Sequence, residues 1–362
     1  MRKYLIAVTL FLTLLPVKGE TLRDSLTDQE FWRLVTSLSE TGGKFQAQVM
    51  SNEDSAQFVI PDLKKTTRPG GVYVGVGTEQ NFTYIAAIQP KLAFIVDIRR
   101  DNMLEHLMYK SLFELSPDRA DFLSKLFSRK RPAGLDPNST VNALFGGYQN
   151  VEPSPTVYEE SLRGIIDGLT NKHKFQLSNE DKASIARILT IFRDAGPNNL
   201  TGQGDKNMSY ARLMDATDLT GVRHGYLASE EKFRIVQNLE RRNAIIPVVG
   251  DFAGDTALVG VGRYVEEHNA VVNVLYVSNV ERYLFEQGAH GKHFYSNVAA
   301  LPLDSSSIFI RSVTADISRR LGIPISNANE DWRSFLAPIN NDLENLANGR
   351  IRTYSDLFAH VR

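Results

Sequence analysis

The residues best suited to chemistry are two glycines and an acid that close two successive apolar runs. Gly75 and Gly77 end the run that begins at Val72, and Asp97 ends the next one, about twenty positions later. Glycine lets a ligand approach the main chain with no Cβ atom in the way. An ionised carboxylate can accept hydrogen bonds from both hydroxyls of a ribose. The spacing therefore predicts a site for a ligand that contains a ribose.

The glycine turn itself argues against a pyrophosphate group. Gln80 stands where the pattern G-x-G-x-x-G would place its third glycine, and the carboxylate of Glu79 would repel a phosphate at the start of the following helix. A ligand with an amino-acid ammonium group and a ribose, but no phosphate, suits this turn better. The residues predicted to bind this cofactor-like ligand are Gly75, Gly77, Asn81 and Asp97.

A second group of polar residues follows two later apolar runs. Asp251 comes after IIPVVG, and Asn279 comes after VVNVLYVS. In a doubly wound sheet both would lie at the same edge as Gly77 and Asp97, where ligands usually bind. The residues predicted at a reacting centre are Asp251, Asn279 and Glu79. Asp251 and Asn279 are equally well explained as N-caps of the helices that follow them, and one residue can serve both purposes.

The glycine turn also has an explanation that needs no ligand. A tight reversal from strand to helix requires a Gly-x-Gly turn whether or not anything binds. Asp97 could cap the helix near Asn102, or pair with Arg99 or Arg100.

The elements around these residues alternate between strand and helix. GVYVGV and KLAFIVDI are apolar runs typical of buried strands, and residues 79–88 between them are predicted to be helical, which makes a βαβ unit of a parallel sheet. The alternation returns from residue 230 onward. The fold class predicted is therefore α/β, with a doubly wound, mostly parallel sheet built from both ends of the chain. A helix capped by Thr27 precedes the sheet, and a helical insertion interrupts it.

These patterns divide the chain into a leader and one globular domain of four parts. The predicted boundaries are a signal peptide at 1–19, an N-terminal extension at 20–68, a first Rossmann-like half at 69–131, a helical and loop insertion at 132–207, and a second Rossmann-like half with C-terminal helices at 208–362.

The N-terminus resembles a secretory signal. Residues 1–3 are basic at two positions, residues 4–15 are apolar, and Pro16 precedes a cleavage site expected after Gly19. The apolar run is shorter than the roughly 20 residues that cross a bilayer. We therefore expect an exported protein, at the periplasm, the cell surface or secreted, with no transmembrane segment in the mature chain.

Composition narrows the possible ligands further. Lys and Arg number 41 against 42 Asp and Glu, so the formal charge of -1 provides no field that would attract nucleic acid. There is no cysteine, which excludes disulfides and thiolate chemistry. His290 and His293 have a spacing that suits a metal, but Gly288 and Gly291 predict a loop there and no third ligand is evident, so we predict no metal site.

Two stretches resemble the class I methyltransferases that use S-adenosylmethionine. In that family a glycine-rich turn after the first strand faces the amino-acid part of the cofactor, and an acid after the second strand holds the ribose. YVGVGTEQN and AFIVDIRRDN stand at those places. These stretches, with SNED and VVGDFAG, are also similar to a little-characterised group of bacterial proteins with such a core. The resemblance implies a sheet of the class I methyltransferase type and S-adenosylmethionine held by Gly75, Gly77 and Asp97.

Two hypotheses about function follow. The first is methyl transfer from S-adenosylmethionine to a small molecule or an envelope component. No substrate-side signature, such as an Asn-Pro-Pro-Tyr run, is present to identify the acceptor. The second is a non-catalytic, exported protein that binds a ligand or partner on the same scaffold, because S-adenosylmethionine is kept in the cytosol and a fold can be reused without its cofactor.

Overall fold

The computed structural model describes residues 21–46, 48–198, 200, 208–322 and 331–359. The predicted signal peptide lies outside these residues. Among the helices of the described part, none combines the length and apolar character needed to span a membrane.

A single six-stranded sheet forms the centre of the molecule. The strands are β1 (Val72–Gly75), β2 (Leu92–Asp97), β3 (Ile245–Val249), β4 (Val272–Ser278), β5 (Ile308–Thr314) and β6 (Trp332–Pro338). Their spatial order is β3-β2-β1-β4-β5-β6; the first five are parallel, and β6 runs antiparallel to β5. The prediction of an α/β fold with a mostly parallel sheet is thus confirmed.

Fifteen α-helices surround the sheet in the part of the chain that the structure describes. They are α1 (Asp28–Leu38), α2 (Ile60–Thr66), α3 (Gln80–Ile88), α4 (Arg100–Leu115), α5 (Arg119–Leu126), α6 (Val141–Gly147), α7 (Pro155–Asp167), α8 (Asn179–Ala195), α9 (Tyr210–Asp215), α10 (Glu230–Arg241), α11 (Ala257–Glu267), α12 (Val280–Glu286), α13 (Ala289–Ala299), α14 (Ala315–Leu321) and α15 (Ile339–Ala347).

Helices cover the sheet on both faces. The chain runs from β1 through β2 to β3 at one edge of the sheet, and then crosses back to β4 and β5 on the other side of β1. Right-handed crossovers that run in opposite directions place their helices on opposite faces of the sheet. Accordingly α10 packs against α3 and α4, whereas α11 packs against α13. Coverage on both sides explains why β1, β2 and β3 are buried along their whole length and apolar without alternation.

The first helix forms as its sequence pattern predicts. Thr27 caps α1, its hydroxyl accepting from the backbone N–H of Glu30 while the Glu30 carboxylate accepts from the backbone N–H of Thr27. The four apolar residues at helical spacing are all buried, namely Phe31, Leu34, Val35 and Leu38. This face packs against β3 and α11, so the N-terminal extension is part of the domain core.

Two elements differ from the sequence-based expectation. The predicted loop around His290 and His293 is wrong, because both residues lie in α13. Gly288 has φ +68° and stands in the N-cap position of this helix, where glycine is accepted, and Gly291 lies against Phe285. Strand β6 was not predicted, and it closes the sheet with the single antiparallel pairing.

A buried cluster of one arginine and two acids holds three helices to β5. Arg311 is 1% exposed, and its guanidinium makes a two-pronged contact with the Glu281 carboxylate, one hydrogen bond measuring 2.8 Å. It also donates to Asp342 and, at 3.2 Å, to the hydroxyl of Tyr295. These partners lie on α12, α15 and α13. The arginine therefore compensates two carboxylates that would otherwise be buried without a cation.

We expect Arg311→Met to destabilise the protein by about 3–5 kcal/mol, because it keeps most of the side-chain volume but leaves Glu281 and Asp342 buried and unpaired. Urea denaturation measures the change. The matched control is Arg319→Met, whose ion pair with Asp316 is exposed and should cost no more than about 0.5 kcal/mol. Equal effects of the two substitutions would contradict this role for Arg311.

Candidate functional site

A cavity of about 840 Å³ opens at the carboxyl ends of the parallel strands. One residue at or just after the end of each of the five strands lines it, in the order Gly77, Asp97, Gly250, Ser278 and Thr314. The strand order reverses between β1 and β4, and this is where open α/β sheets bind ligands. The volume falls within the range of about 300–1,000 Å³ that is usual for small-molecule sites.

The two glycines of the turn serve different purposes. Gly77 lines the cavity with φ +81°, and a Cβ atom added there would meet no heavy atom within 4 Å. A Cβ atom on Gly75 would lie 2.0 Å from Oδ1 of Asn81 and 2.7 Å from the ring of Tyr73. Only Gly77 therefore presents open main chain to a ligand, and Gly75 is required by the packing behind the turn.

Asn81 holds the glycine turn and does not line the cavity. Its side chain is fully buried; Oδ1 accepts from the hydroxyl of Tyr73 at 2.8 Å, and Nδ2 donates to the carbonyls of Val76 at 2.9 Å and Thr78 at 2.8 Å. The predicted cofactor contact thus has no counterpart in this geometry, since the amide is used within the chain. What the residue contributes is a fixed shape for the turn that presents Gly77.

A buried histidine also holds the glycine turn through a hydrogen bond. Nε2 of His106 donates to the carbonyl oxygen of Gly77 at 2.8 Å. Burial lowers the pKa of His106 to about 4, so the ring is neutral at neutral pH, with its proton on Nε2 because the carbonyl can only accept.

Asp97 lines the cavity, but its carboxylate is already paired. Nε of Arg99 donates to Oδ1 at 3.0 Å, Nη2 donates to Oδ2 at 3.0 Å, and the backbone N–H of Arg99 donates to Oδ1 at 2.8 Å. This is the pairing with Arg99 that the sequence left open as an alternative. A carboxylate offers about four lone-pair positions, so one remains for a ligand hydroxyl while this pair is intact.

Asp251 and Asn279 both line the cavity, as expected for strand-end residues. The alternative that Asp251 caps the next helix is wrong, because α11 starts at Ala257 and Asp251 instead accepts from the backbone N–H of Ala253 at 2.8 Å. Asn279 does occupy the N-cap position of α12, yet its side chain makes no capping hydrogen bond. Both side chains therefore have polar atoms that a ligand can reach.

Residues 51–55, which we call the polar clasp, were not assigned to the site from sequence. The hydroxyls of Ser278 and Ser312, on β4 and β5, donate to the carboxyl group of Glu53. The backbone N–H of Ser334, on β6, donates to the hydroxyl of Ser55 at 2.8 Å. The clasp thus connects the carboxyl-terminal halves of β4 and β5 to β6, and Ser51, Asn52 and Glu53 line the cavity.

The clasp also fixes Glu79 behind the cavity wall. The backbone N–H of Ser51 donates to both carboxylate oxygens of Glu79, at 3.0 and 3.2 Å, and Glu79 is fully buried. Glu79 does not line the cavity, so the structure places it apart from the other predicted catalytic residues. The run SNED was the available sequence signal, because its four adjacent polar residues must find partners if the segment is buried.

The end of β4 adopts a backbone conformation that is uncommon for a serine. Ser278 has φ +50°, and the pairing of β4 with β5 shifts register between Tyr276 and Ser278. The left-handed conformation costs a non-glycine residue of the order of 1 kcal/mol. The hydrogen bond from its hydroxyl to Glu53 holds Ser278 in this conformation at the cavity rim.

Acids buried around the cavity hold their protons more tightly than free side chains. Burial raises the pKa of Glu79 from its usual 4.5 to about 7, although the N–H of Ser51 favours the ionised form. Burial also raises the pKa of Glu53, and the hydroxyls of Ser278 and Ser312 counteract this rise. Glu79, directly behind the cavity wall, is thus a carboxyl group whose charge depends on pH near neutrality.

We expect Glu79→Gln to stabilise the protein relative to wild type more at pH 8 than at pH 5. A group whose pKa is higher in the folded state than in the unfolded state lowers stability as pH rises through this interval, and the glutamine variant lacks this loss. A rise from 4.5 to about 7 corresponds to about 3 kcal/mol at most. Thermal melts between pH 5 and pH 8 measure the difference.

The matched control is Glu344→Gln on the exposed face of α15, where the substitution removes a solvated carboxyl group and should change stability by less than about 0.5 kcal/mol. A stability difference between Glu79→Gln and wild type that stays constant from pH 5 to pH 8 would contradict the raised pKa of Glu79.

Comparison with known proteins gives a family but no activity. No curated protein matches the chain in sequence. A family model described as Domain of unknown function (DUF7790) matches residues 48–360, which include the clasp, all six strands and every residue of the site discussed above. Because this match covers most of the chain, the protein belongs to the DUF7790 family.

Proposed function

We propose that the cavity binds S-adenosylmethionine and that the protein transfers its methyl group to a small molecule or an envelope component. The observation that carries the proposal is the joint position of Gly77 and Asp97. They follow adjacent strands, β1 and β2, and line one cavity at the point where the strand order reverses. This is the arrangement implied by the resemblance to class I methyltransferases.

The cavity wall suits the parts of such a ligand. Open main chain at Gly77 allows close approach, and Asp97 has a lone-pair position for a ribose hydroxyl. The side chains of Phe252, Tyr276 and Trp332 provide apolar surface for a purine ring. Strand order and the antiparallel last strand are further points of support for a sheet of the class I methyltransferase type.

S-Adenosylmethionine would supply an electrophilic methyl group. The residues of the chain would then orient the acceptor and take its proton. The acceptor's oxygen or nitrogen would bond to the methyl carbon as the carbon–sulfur bond breaks, and the acceptor's proton would pass to a carboxylate. Asp251 is suited to this step because it lines the cavity and because its carboxylate, among the described residues, accepts one hydrogen bond, from the backbone N–H of Ala253. The amide of Asn279 would orient the acceptor.

The pairing of Asp97 with Arg99 favours a second candidate function. Three donors from Arg99 already occupy the carboxylate, which reduces its capacity for a ribose. The same cavity would then serve a non-catalytic, exported protein that binds a different ligand or partner. The predicted signal peptide favours this candidate too, because export removes the protein from cytosolic S-adenosylmethionine.

We expect calorimetric titration with S-adenosylmethionine to give saturable heat for wild type and at least tenfold weaker binding for Gly77→Asn. Asparagine tolerates positive φ, so the new side chain projects into the cavity with little strain. The matched control is Gly134→Asn, at φ +82° with equally open space but outside the cavity, which should bind as wild type does.

Asp97→Asn tests the acid in the same titration. It keeps the size of the side chain but loses the charge that pairs with Arg99, and we expect at least fivefold weaker binding. Absence of heat with wild type would reject the cofactor, and equal binding by Gly77→Asn and Gly134→Asn would reject the cavity as its site.

Cell fractionation distinguishes the two candidate functions. If the signal peptide is removed after Gly19, the N-terminal residue of the mature protein is Glu20 and the protein is found outside the cytosol, as the binding-protein candidate requires. A cytosolic protein that retains Met1 would favour the methyltransferase. N-terminal sequencing of the protein from each fraction distinguishes these two outcomes.

A further inference from the structure

A second cavity, of about 510 Å³, adjoins the first. It lies between the start of α4, the middle of α8 and the segment after α1, and it shares Lys44, Phe45, Gln48 and Arg99 with the first cavity. Neither of the functions proposed above uses it. Its walls combine apolar side chains with basic ones, and a buried carboxyl group lies among them.

Glu105 is the buried carboxyl group in this wall. It is 1% exposed, and no donor in the described part of the chain reaches its Oε1. Folded proteins leave few buried polar atoms without a partner, and such atoms call for an explanation in terms of function or of a missing ligand. Glu105 also lines the cavity, so a molecule inside it lies next to this carboxyl group.

Basic residues dominate the rim. Arg100 pairs with Asp181 at 2.7 Å and Arg187 pairs with Asp101 at 2.6 Å. Lys44 also lines the cavity, and within the described residues it has no ion pair. An unpaired cation beside two paired arginines gives this mouth an excess of positive charge, which attracts an anion.

One wall of the cavity is apolar. Ile188 and Ile191 of α8 line it, together with Val49 and with Phe45, which also lines the first cavity. Phe45 is 48% exposed, although it packs edge-on against the ring of Tyr283. Exposed apolar surface in a concave site is typical of a place where the hydrophobic part of a ligand binds.

The protonation of Glu105 agrees with an anionic ligand. Burial raises the pKa of Glu105 well above its usual value, and the nearby Glu79 raises it further, while Arg99 opposes the rise. A neutral carboxyl group donates a hydrogen bond to an oxygen of an anion and does not repel it.

We propose that the second cavity binds a carboxylate anion with a hydrocarbon body, such as a medium-chain fatty acid. The carboxylate lies against Glu105 and Arg99, where the field of Lys44 also acts, and the hydrocarbon body lies against Ile188 and Ile191. This site adjoins the one assigned to S-adenosylmethionine and shares Arg99 with it, but the proposal does not require that S-adenosylmethionine binds.

Calorimetric titration of the full chain with sodium decanoate tests this site. We expect saturable binding of one decanoate, and at least tenfold weaker binding of 1-decanol, which has the same body without the charge. Ile191→Trp fills the apolar wall and should weaken decanoate at least tenfold. Ile235→Trp on α10, also partly buried but outside the cavity, should leave binding unchanged.

Further variants test separately the positive charge at the rim, the carboxyl group of Glu105 and the neighbouring cavity. Arg187→Glu, at a side chain 49% exposed, should weaken decanoate at least fivefold without disturbing the core. Glu105→Gln retains a donor and should bind within about threefold of wild type, whereas Glu105→Ala should lose at least fivefold. Gly77→Asn, in the first cavity alone, should bind decanoate as wild type does.

No saturable binding of decanoate, equal affinity for 1-decanol, or undiminished binding by both Ile191→Trp and Arg187→Glu would overturn the proposal. Decanoate binding lost in Gly77→Asn would also overturn it, because the anion would then occupy the first cavity.

Discussion

The hydrogen bonds of the polar clasp, residues 51–55, are the constraint on which the site depends. Backbone hydrogen bonds hold neighbouring strands together, but they do not fix the loops that follow the strand ends. The clasp does so by joining Ser51 to Glu79 before α3, Glu53 to β4 and β5, and Ser55 to β6. A segment that precedes the sheet in sequence therefore forms one wall of the cavity that the sheet opens.

The way in which this wall is held together affects the pKa of two buried acids, Glu53 and Glu79. Glu53 and Glu79 accept from hydroxyls and a backbone N–H, and no cation pairs with either of them among the described residues. Neutral donors compensate a buried negative charge incompletely, so burial prevails and the pKa of each carboxyl group rises. Arg311 shows the contrasting arrangement, in which a fully buried guanidinium sits directly against Glu281 and Asp342. Hydrogen bonds from neutral donors thus hold the cavity wall, whereas ion pairs with Arg311 hold α12 and α15 to β5.

Local sequence patterns predicted the parts of the fold that depend on neighbours in sequence. The unit β1-α3-β2 and the capped helix α1 follow from apolar runs and a capping box within a few residues. The antiparallel strand β6 and the helix α13 were missed because strand pairing is non-local and because Gly288 and Gly291 read as loop residues. The cavity lies at the sheet edge where the sequence predicts the site. The hydrogen bonds of Asn81 to Tyr73 and of Ser51 to Glu79 are tertiary contacts that no spacing reveals.

In the proposed complex with S-adenosylmethionine, the main chain at Gly77 would be a stronger recognition element than the carboxylate of Asp97. A turn alone would accept asparagine at φ +81°, but here a side chain would enter the cavity, so the absence of a Cβ atom keeps the ligand's space open. Asp97, by contrast, gives three of about four lone-pair positions to Arg99. It can accept one ribose hydroxyl without releasing Arg99, and accepting two would require the guanidinium to give up a bond. In the proposed complex with S-adenosylmethionine, the ribose would therefore be positioned chiefly by the turn that Asn81 and His106 hold, with Asp97 and Arg99 acting as a pair.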